Sequence, residues 1–264
     1  MPDKSLHEKI NQYWYKPLNE RKPSIQFIAS FKENWQNLIP LLEQISTQNA
    51  VFIFIYNTII KRFIYVVDKR KVAGYDAALY LAENGFEFTM SKMHPDYLRA
   101  LLLLQEKALG YLFEHVKPDN RDQIIANLEG VYKKYTGEYF HFLQQTVCLE
   151  TDEGGAPVLF LGHVHNVTYL KKNRTCNLVI TAPNEIKWWR FNFDRDCIEP
   201  VQPLSKQEKK VLSLLAEGKS SKEIANALFV SSHTVDTHRR HLLEKTNCID
   251  TTGMITYAKL VGLL

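Results

Sequence analysis

Residues 219–247 read KSSKEIANALFVSSHTVDTHRRHLLEKTN, two short helical patterns joined by a tight turn. Ser221 stands ahead of Lys222, Glu223 and Ile224, where a hydroxyl can accept from the free amides that open a helix. Ile224, Ala225 and Leu228 recur at helical spacing and make one apolar stripe. Phe229 and Val230 carry the chain to Ser231-Ser232, and Ser232 is the expected cap of a second helix from His233 to Thr246. At roughly 3.6 residues per turn, Val235, His238 and Leu242 share the inner side of that helix, with Thr246 close by. His233, Asp236, Thr237, Arg240 and Glu244 share the outer side, and Arg239, Leu243 and Lys245 are lateral.

An exposed helix bearing Arg, His, Thr and Asp in its first turns is what a major groove admits. His233, Asp236, Thr237 and Arg240 are therefore the candidate base-facing residues. Ser221 and Lys222, at the start of the helix crossing behind, can grip phosphate, and Arg239 and Lys245 flank the same surface. Charge agrees. From Leu204 onward there are nine Lys and Arg against six Asp and Glu, an excess of three, while the whole chain carries an excess of only four.

The segment Leu204 to Leu264 resembles the LuxR-type helix-turn-helix, the family that also supplies the output domain of many response regulators. The resemblance runs through LSKQE, VLSLLAEGKSSKEIA, VSSHTVDTH, LLEKTN and YAKLVGLL. It implies four helices: a support, the helix-turn-helix pair, and a last helix that commonly dimerises. It also implies double-stranded DNA as partner, Asp236, Thr237 and Arg240 at base-reading positions, and Thr234 near the phosphate backbone. Departures are Gln207 in place of Arg, Asp236 in place of a frequent Lys, and Thr246-Asn247-Cys248 in place of Leu-Gly-Val. A carboxylate at 236 could accept from cytosine N4 or position Arg240. The last helix, expected over Thr252 to Leu263, presents Ile255, Ala258 and Val261 on one face as the candidate surface of a homodimer on DNA.

Globular composition, with 45% hydrophobic and 23% charged residues in 264, suggests one or two domains. Cys148, Cys176, Cys197 and Cys248 show no CxxC spacing and read as reduced thiols of a cytoplasmic protein. The opening MPDKSLHEKINQ lacks the apolar core of a signal peptide, and the apolar runs are far too short to span a bilayer, so no membrane is expected.

Upstream, residues 1–50 read as helices packing on the domain that follows, through Leu6, Ile10, Tyr13 and Trp14, then Phe31, Trp35, Leu38, Leu42 and Ile45. VFIFIYN (51–57) and RFIYVVD (62–68) are dense in β-branched and aromatic residues and read as paired strands. A helical piece follows over Asp76 to Glu83, then a long helix from Asp96 to Glu114. Three strand-like runs come next: Ile124 to Tyr135, Tyr139 to Glu150 and Pro157 to Thr168. This order resembles a PAS sensor domain over residues 51–172. The resemblance is carried by FIYVVDKRKVAGYDAALYL, by MHPDY, and by the run from Lys133 to Lys171 ending in Asn166-Val167-Thr168. It implies a five-stranded antiparallel sheet under helices, with a cleft between them. Residues 173–203 read as a β-hairpin and linker, with Pro200 and Pro203 before the helical segment.

Chemistry-bearing groups are sparse. His163 and His165 share a strand face with His141 nearby, a spacing that a metal could use but that reads first as histidines on one face of a sheet, so no metal or cofactor is expected. No phosphate loop, GxSxG or receiver-type acid cluster occurs, and no enzyme is expected. The expected class is α+β: a PAS-like five-stranded antiparallel sheet with helices, plus a separate all-α four-helix domain. The expected function is a sequence-specific DNA-binding transcriptional regulator whose PAS-like domain senses a signal or mediates dimerisation, its cleft being a candidate site for a small-molecule ligand. The rival reading is a small-ligand or metal-binding sensor whose helical tail mediates protein contacts.

Overall fold

The computed structural model describes residues 38–152, 155–172 and 174–264. The helices expected over residues 1–37 lie outside the described residues. The described chain begins with helix α1 (Ile39–Asn49), then strands β1 (Phe52–Asn57) and β2 (Arg62–Val67). Short helices α2 (Ala77–Leu81) and α3 (Gly85–Ser91) lead into the long α4 (Pro95–His115). Strands β3 (Ile125–Lys133), β4 (Tyr139–Thr151) and β5 (Pro157–Asn166) follow, then β6 (Asn177–Ala182), β7 (Glu185–Asn192) and β8 (Cys197–Pro200). Four helices close the chain: α5 (Lys206–Ala216), α6 (Ser221–Leu228), α7 (Ser232–Thr246) and α8 (Thr251–Leu260).

The α+β class and the four C-terminal helices agree with the sequence reading, but the sheet does not stop at five strands. It has eight, all antiparallel, in the order β2-β1-β5-β4-β3-β6-β7-β8. The hairpin expected at 173–203 is no free linker. Its first strand pairs with β3, Ile125 opposite Thr181, and β8 adds a further edge, Phe191 opposite Ile198.

Side chains alternate across a strand, so the sheet has two faces to cover. On one face Phe52, Phe54, Phe140, Phe142 and Phe160 pack with Tyr80 of α2, Phe86 and Met90 of α3, and Leu101, Leu109 and Leu112 of α4. On the other face, at the β1 end, Ile53, Ile55 and Leu159 pack with Leu42 of α1. Across the rest of that second face, Leu143 of β4, Val179 of β6 and Trp188 of β7 share one core with Val211, Leu212, Ile224, Val235, Leu242, Met254 and Tyr257. The helical domain expected to be separate is therefore docked on the sheet, and its core is continuous with it.

Two glycines shape the first face. A Cβ on Gly162 would meet the Phe54 ring at 2.1 Å, and one on Gly130 would meet the Phe142 ring at 2.6 Å. Only a missing side chain on β5 and β3 lets these rings lie against the strands. Long α4 opens as its motif suggests: His94 Nδ1 accepts from the Asp96 amide at 3.2 Å, and Pro95 fills the first helical position.

Candidate nucleic-acid interface and internal cavity

Three of the four last helices are fastened by an opening serine, and α8 by Asp250, whose Oδ1 accepts from the Gly253 amide at 2.7 Å. Ser205 Oγ accepts from the Glu208 amide at 3.2 Å while Glu208 Oε2 accepts from the Ser205 amide at 2.7 Å. Ser220 and Glu223 repeat this reciprocal cap at α6, at 3.3 and 2.8 Å. Ser231 Oγ accepts from the Thr234 amide at 3.0 Å to open α7. The caps are thus Ser220 and Ser231, each one residue before the serine expected.

Helix α7 has the polarity its spacing predicts. Val235, Leu242 and Thr246 are fully buried, while His233, Asp236 and Arg240 are exposed. Thr237 is half-buried and its hydroxyl turns back to donate to the His233 carbonyl at 3.0 Å. Lys222, on α6, is exposed. The expected phosphate contacts are partly engaged already. Ser221 Oγ donates to Asp236 Oδ1 at 2.8 Å and accepts from Arg239 Nη1 at 2.7 Å, and Arg239 Nη2 donates to Thr251 Oγ1 at 2.9 Å. This chain of bonds ties α6, α7 and α8 together and aims α7. The Asp236 carboxylate is oriented by Ser221, whereas Arg240 sits 4.0 Å from Glu244, one turn on. Lys245 is held by Glu208 at 2.8 Å and turned toward α5. Burial opposes the Glu208 carboxylate, but its bonds from Lys245 and Ser205 outweigh that and hold its pKa below the usual value. Thr234 shares its hydroxyl with Ser231 at 2.9 Å.

One surface feature went unread in the sequence. Phe229, the residue that ends α6, has a left-handed φ of 56° and is 95% exposed. A bulky side chain pays nothing to hydrophobic burial there and sits in a backbone region it seldom adopts.

The dimer surface expected on the last helix is corrected by the docking. Ala258 and Val261 are buried against the sheet and Ile255 is half-buried; α8 ends at Leu260, so Val261 lies just past it. The apolar face that looked free in sequence is taken by β3, β4, β6 and β7. Gln145 Nε2 donates to the Leu260 carbonyl at 2.7 Å and Thr181 Oγ1 to the Val261 carbonyl at 2.8 Å. Beneath them lies a buried polar network. Glu129 accepts from Lys171 at 2.8 Å, from Asn177 at 2.8 Å and from the Tyr257 hydroxyl. Lys171 Nζ also donates to the Thr246 carbonyl at 3.0 Å and stands 3.4 Å from the centre of the Tyr257 ring. Arg190 reaches the Lys245 carbonyl at the end of α7.

The opposite face holds a cavity of about 130 Å³ between the sheet and α2–α4. Phe52, Phe54, Phe63, Phe140 and Phe142 supply much of its wall. Its polar edges are few: Thr89, Gln105, Gln144, Thr146, the Tyr56 hydroxyl, the Tyr80–Tyr132 hydroxyl pair and Cys148. Burial pushes the Cys148 thiol up to about 12 and raises both tyrosines. His163 and His165 lie 5.0 Å apart, ring to ring; burial lowers both, and that of His165, also beside His163, falls to about 4. His141 is lowered too, first by burial. Among the described residues no group of three or more His, Cys, Asp or Glu is placed to hold a metal ion, and no helix is long and apolar enough to cross a membrane.

Comparison with known proteins places the C-terminal segment. Residues 202–258 match the family of bacterial regulatory proteins of the luxR type. The chain is 42% identical over 60 residues to the oxygen regulatory protein NreC of Staphylococcus carnosus, and 42% identical over 60 residues to the transcriptional regulatory protein MctR of Rhizobium johnstonii. Each alignment takes in 23% of this chain and 28% of the relative, so the chain spans under a third of the length of either. Among solved structures, a Vibrio cholerae VqmA–ligand–DNA complex aligns over 84% of this chain and 85% of its own at 13% identity, with a TM-score of 0.31.

Proposed function

From a chain whose residues 202–258 are a DNA-binding helix-turn-helix of the luxR regulatory family, we propose a transcriptional regulator that reads duplex DNA with α7 and receives a signal through its eight-stranded sheet. The observation that carries it is the Ser221–Asp236–Arg239–Thr251 chain of bonds, which holds α7 with His233 and Arg240 outward. Pre-set geometry of this kind lets a helix enter a major groove without first ordering itself. In this reading Arg240, Asp236, His233 and Thr237 face base edges, and Lys222 with the amide end of α6 meets phosphate. Arg239, Ser221, Thr234 and Lys245 act behind the contact by fixing the helices.

The upstream part is read as a PAS-like sensor. Support comes from the run β2-β1-β5-β4-β3, which contains the five expected strands, from α2–α4 across one face, and from the cavity beneath them. Strands β3, β4 and β6 contribute residues to both the cavity and the seat of α8: Leu128 beside Glu129, Gln144 beside Gln145, Ile180 beside Thr181. A change in the cavity therefore bears on the docked domain through single strands. A homodimer on DNA, reading half-sites about one turn apart, completes the proposal. It requires α8 to leave the sheet or a second surface to pair.

The test is the salt dependence of binding to duplex DNA. A chain that neutralises phosphates loses affinity linearly on logarithmic axes, with a slope near −0.9 for each phosphate contacted. A flat response would leave the helical domain as a protein-contact module.

A further inference from the structure

Helix α4 lays Leu101, Ala108, Leu109 and Leu112 toward the sheet, one apolar stripe at helical spacing. Gln105 sits in that stripe, where the pattern calls for a leucine. It is 9% exposed and lines the cavity, and its Oε1 is buried with no hydrogen-bond partner among the described residues. Buried acceptors are nearly always paired, because leaving one unpaired forfeits its bond to water without replacement. The other polar groups on the wall do not serve it: Gln144 donates to Thr146 at 3.1 Å, Thr89 to the Gly85 carbonyl at 2.8 Å, and Tyr80 meets Tyr132 at 3.4 Å.

The rest of the wall limits what can fill the space. Among the described residues none of the lining side chains is an Asp, Glu, Lys, Arg or His, so a charged guest would be buried without a counter-charge. The volume of about 130 Å³ is close to that of an engineered cavity of roughly 150 Å³ that accepts benzene, which points to one ring. Phenylalanine faces and edges on several sides suit an aromatic ring in tilted or edge contact.

We propose that Gln105 is the specificity residue of this cavity, and that the cavity takes an uncharged, single-ring aromatic molecule bearing one hydroxyl or N–H that donates to Gln105 Oε1. This deepens the sensor reading of the sheet and rests on it. The hydroxyl supplies the missing donor, the ring fills the apolar volume, and the absence of lining charge excludes carboxylates and amines that carry charge.

The probes are phenol, toluene and benzoate, titrated into the full chain by calorimetry or ligand-observed NMR. Phenol and toluene have nearly the same shape and differ in the donor. Wild-type chain is expected to bind phenol and toluene and to reject benzoate. In Gln105→Met, which keeps the length of the side chain and removes the acceptor, the phenol-to-toluene affinity ratio is expected to fall by about tenfold. Gln105→Leu serves as a second apolar replacement. An unchanged ratio in the folded variant, binding of benzoate as tight as phenol, or no phenol binding by wild type each overturns the proposal. Duplex-DNA binding by the same sample reports on the regulator reading and does not enter the ratio, so the two can fail separately.

Discussion

Lys171 Nζ lies 2.8 Å from Glu129 Oε1 with both side chains almost completely buried, 1% and 3% exposed. One residue follows the short turn after β5 and the other is on β3, and the C-terminal helices close over both: Tyr257 of α8 donates to Glu129, and the Thr246 carbonyl of α7 accepts from Lys171. A buried ion pair adds little net stability against an apolar pair of the same shape, but breaking it by removing one partner is costly. Here the pair fastens β3 and the turn after β5 to α7 and α8 across the seam between sheet and helices.

Lys171→Met is therefore expected to cost about 3–5 kcal/mol, since it strands the Glu129 carboxylate in the interior. Denaturant unfolding of the full chain measures this. Adding Glu129→Gln should restore part of the loss, and a double variant no more stable than Lys171→Met would show that the two residues act separately.

The clasp on α7 has a different signature. Arg239→Met removes the bonds to Ser221 and Thr251. It is expected to destabilise the chain by about 1–3 kcal/mol and to weaken DNA binding similarly for every sequence, because it loosens the helix without deleting a base contact. Affinities for a preferred and a random duplex, measured side by side, check the uniform loss.

Packing under the cavity is tight at β5. Gly162→Ala puts a methyl 2.1 Å from the Phe54 ring. An overpacking cost of about 1–3 kcal/mol, seen as a lowered thermal midpoint, is expected.

Stability should also depend on mild acid through His165. Burial, then the neighbouring His163, lowers its folded pKa from 6.5 to about 4. Between those values the unfolded chain binds the proton and the folded chain does not, so stability rises with pH. The contribution is complete above about pH 6.5 and is lost as pH falls toward 4. His165→Gln should flatten urea midpoints across that window; a slope equal to wild type would assign the dependence elsewhere.

Much of this was legible because the helical segment is strongly periodic. Val235, Leu242 and Thr246 fall inside and His233 and Arg240 outside, as their spacing requires. The caps were misread by one residue because each helix opens on two adjacent serines. At α6 a signal was present: Glu223 lies three residues after Ser220 and two after Ser221, and three is the reciprocal-cap spacing. Docking was not legible, since Glu129 and Tyr257 are 128 residues apart. An apolar face on α8 reads the same whether a second copy or the chain's own sheet covers it. The strands beyond five were seen locally as a hairpin, but pairing of β6 with β3 depends on an edge that no local pattern reveals. Gln105 was visible only as a gap in the leucine stripe of α4.

The most direct measurement is the affinity of Arg240→Ala. A preferred duplex is first selected from a random pool with the wild-type chain, then bound by both proteins at one fixed salt concentration. Loss of a base contact from the outer face of α7 should weaken binding to the selected duplex by about 1–3 kcal/mol and leave random duplex nearly unaffected. Equal affinity of variant and wild type for the selected site would contradict the placement of α7 in the groove.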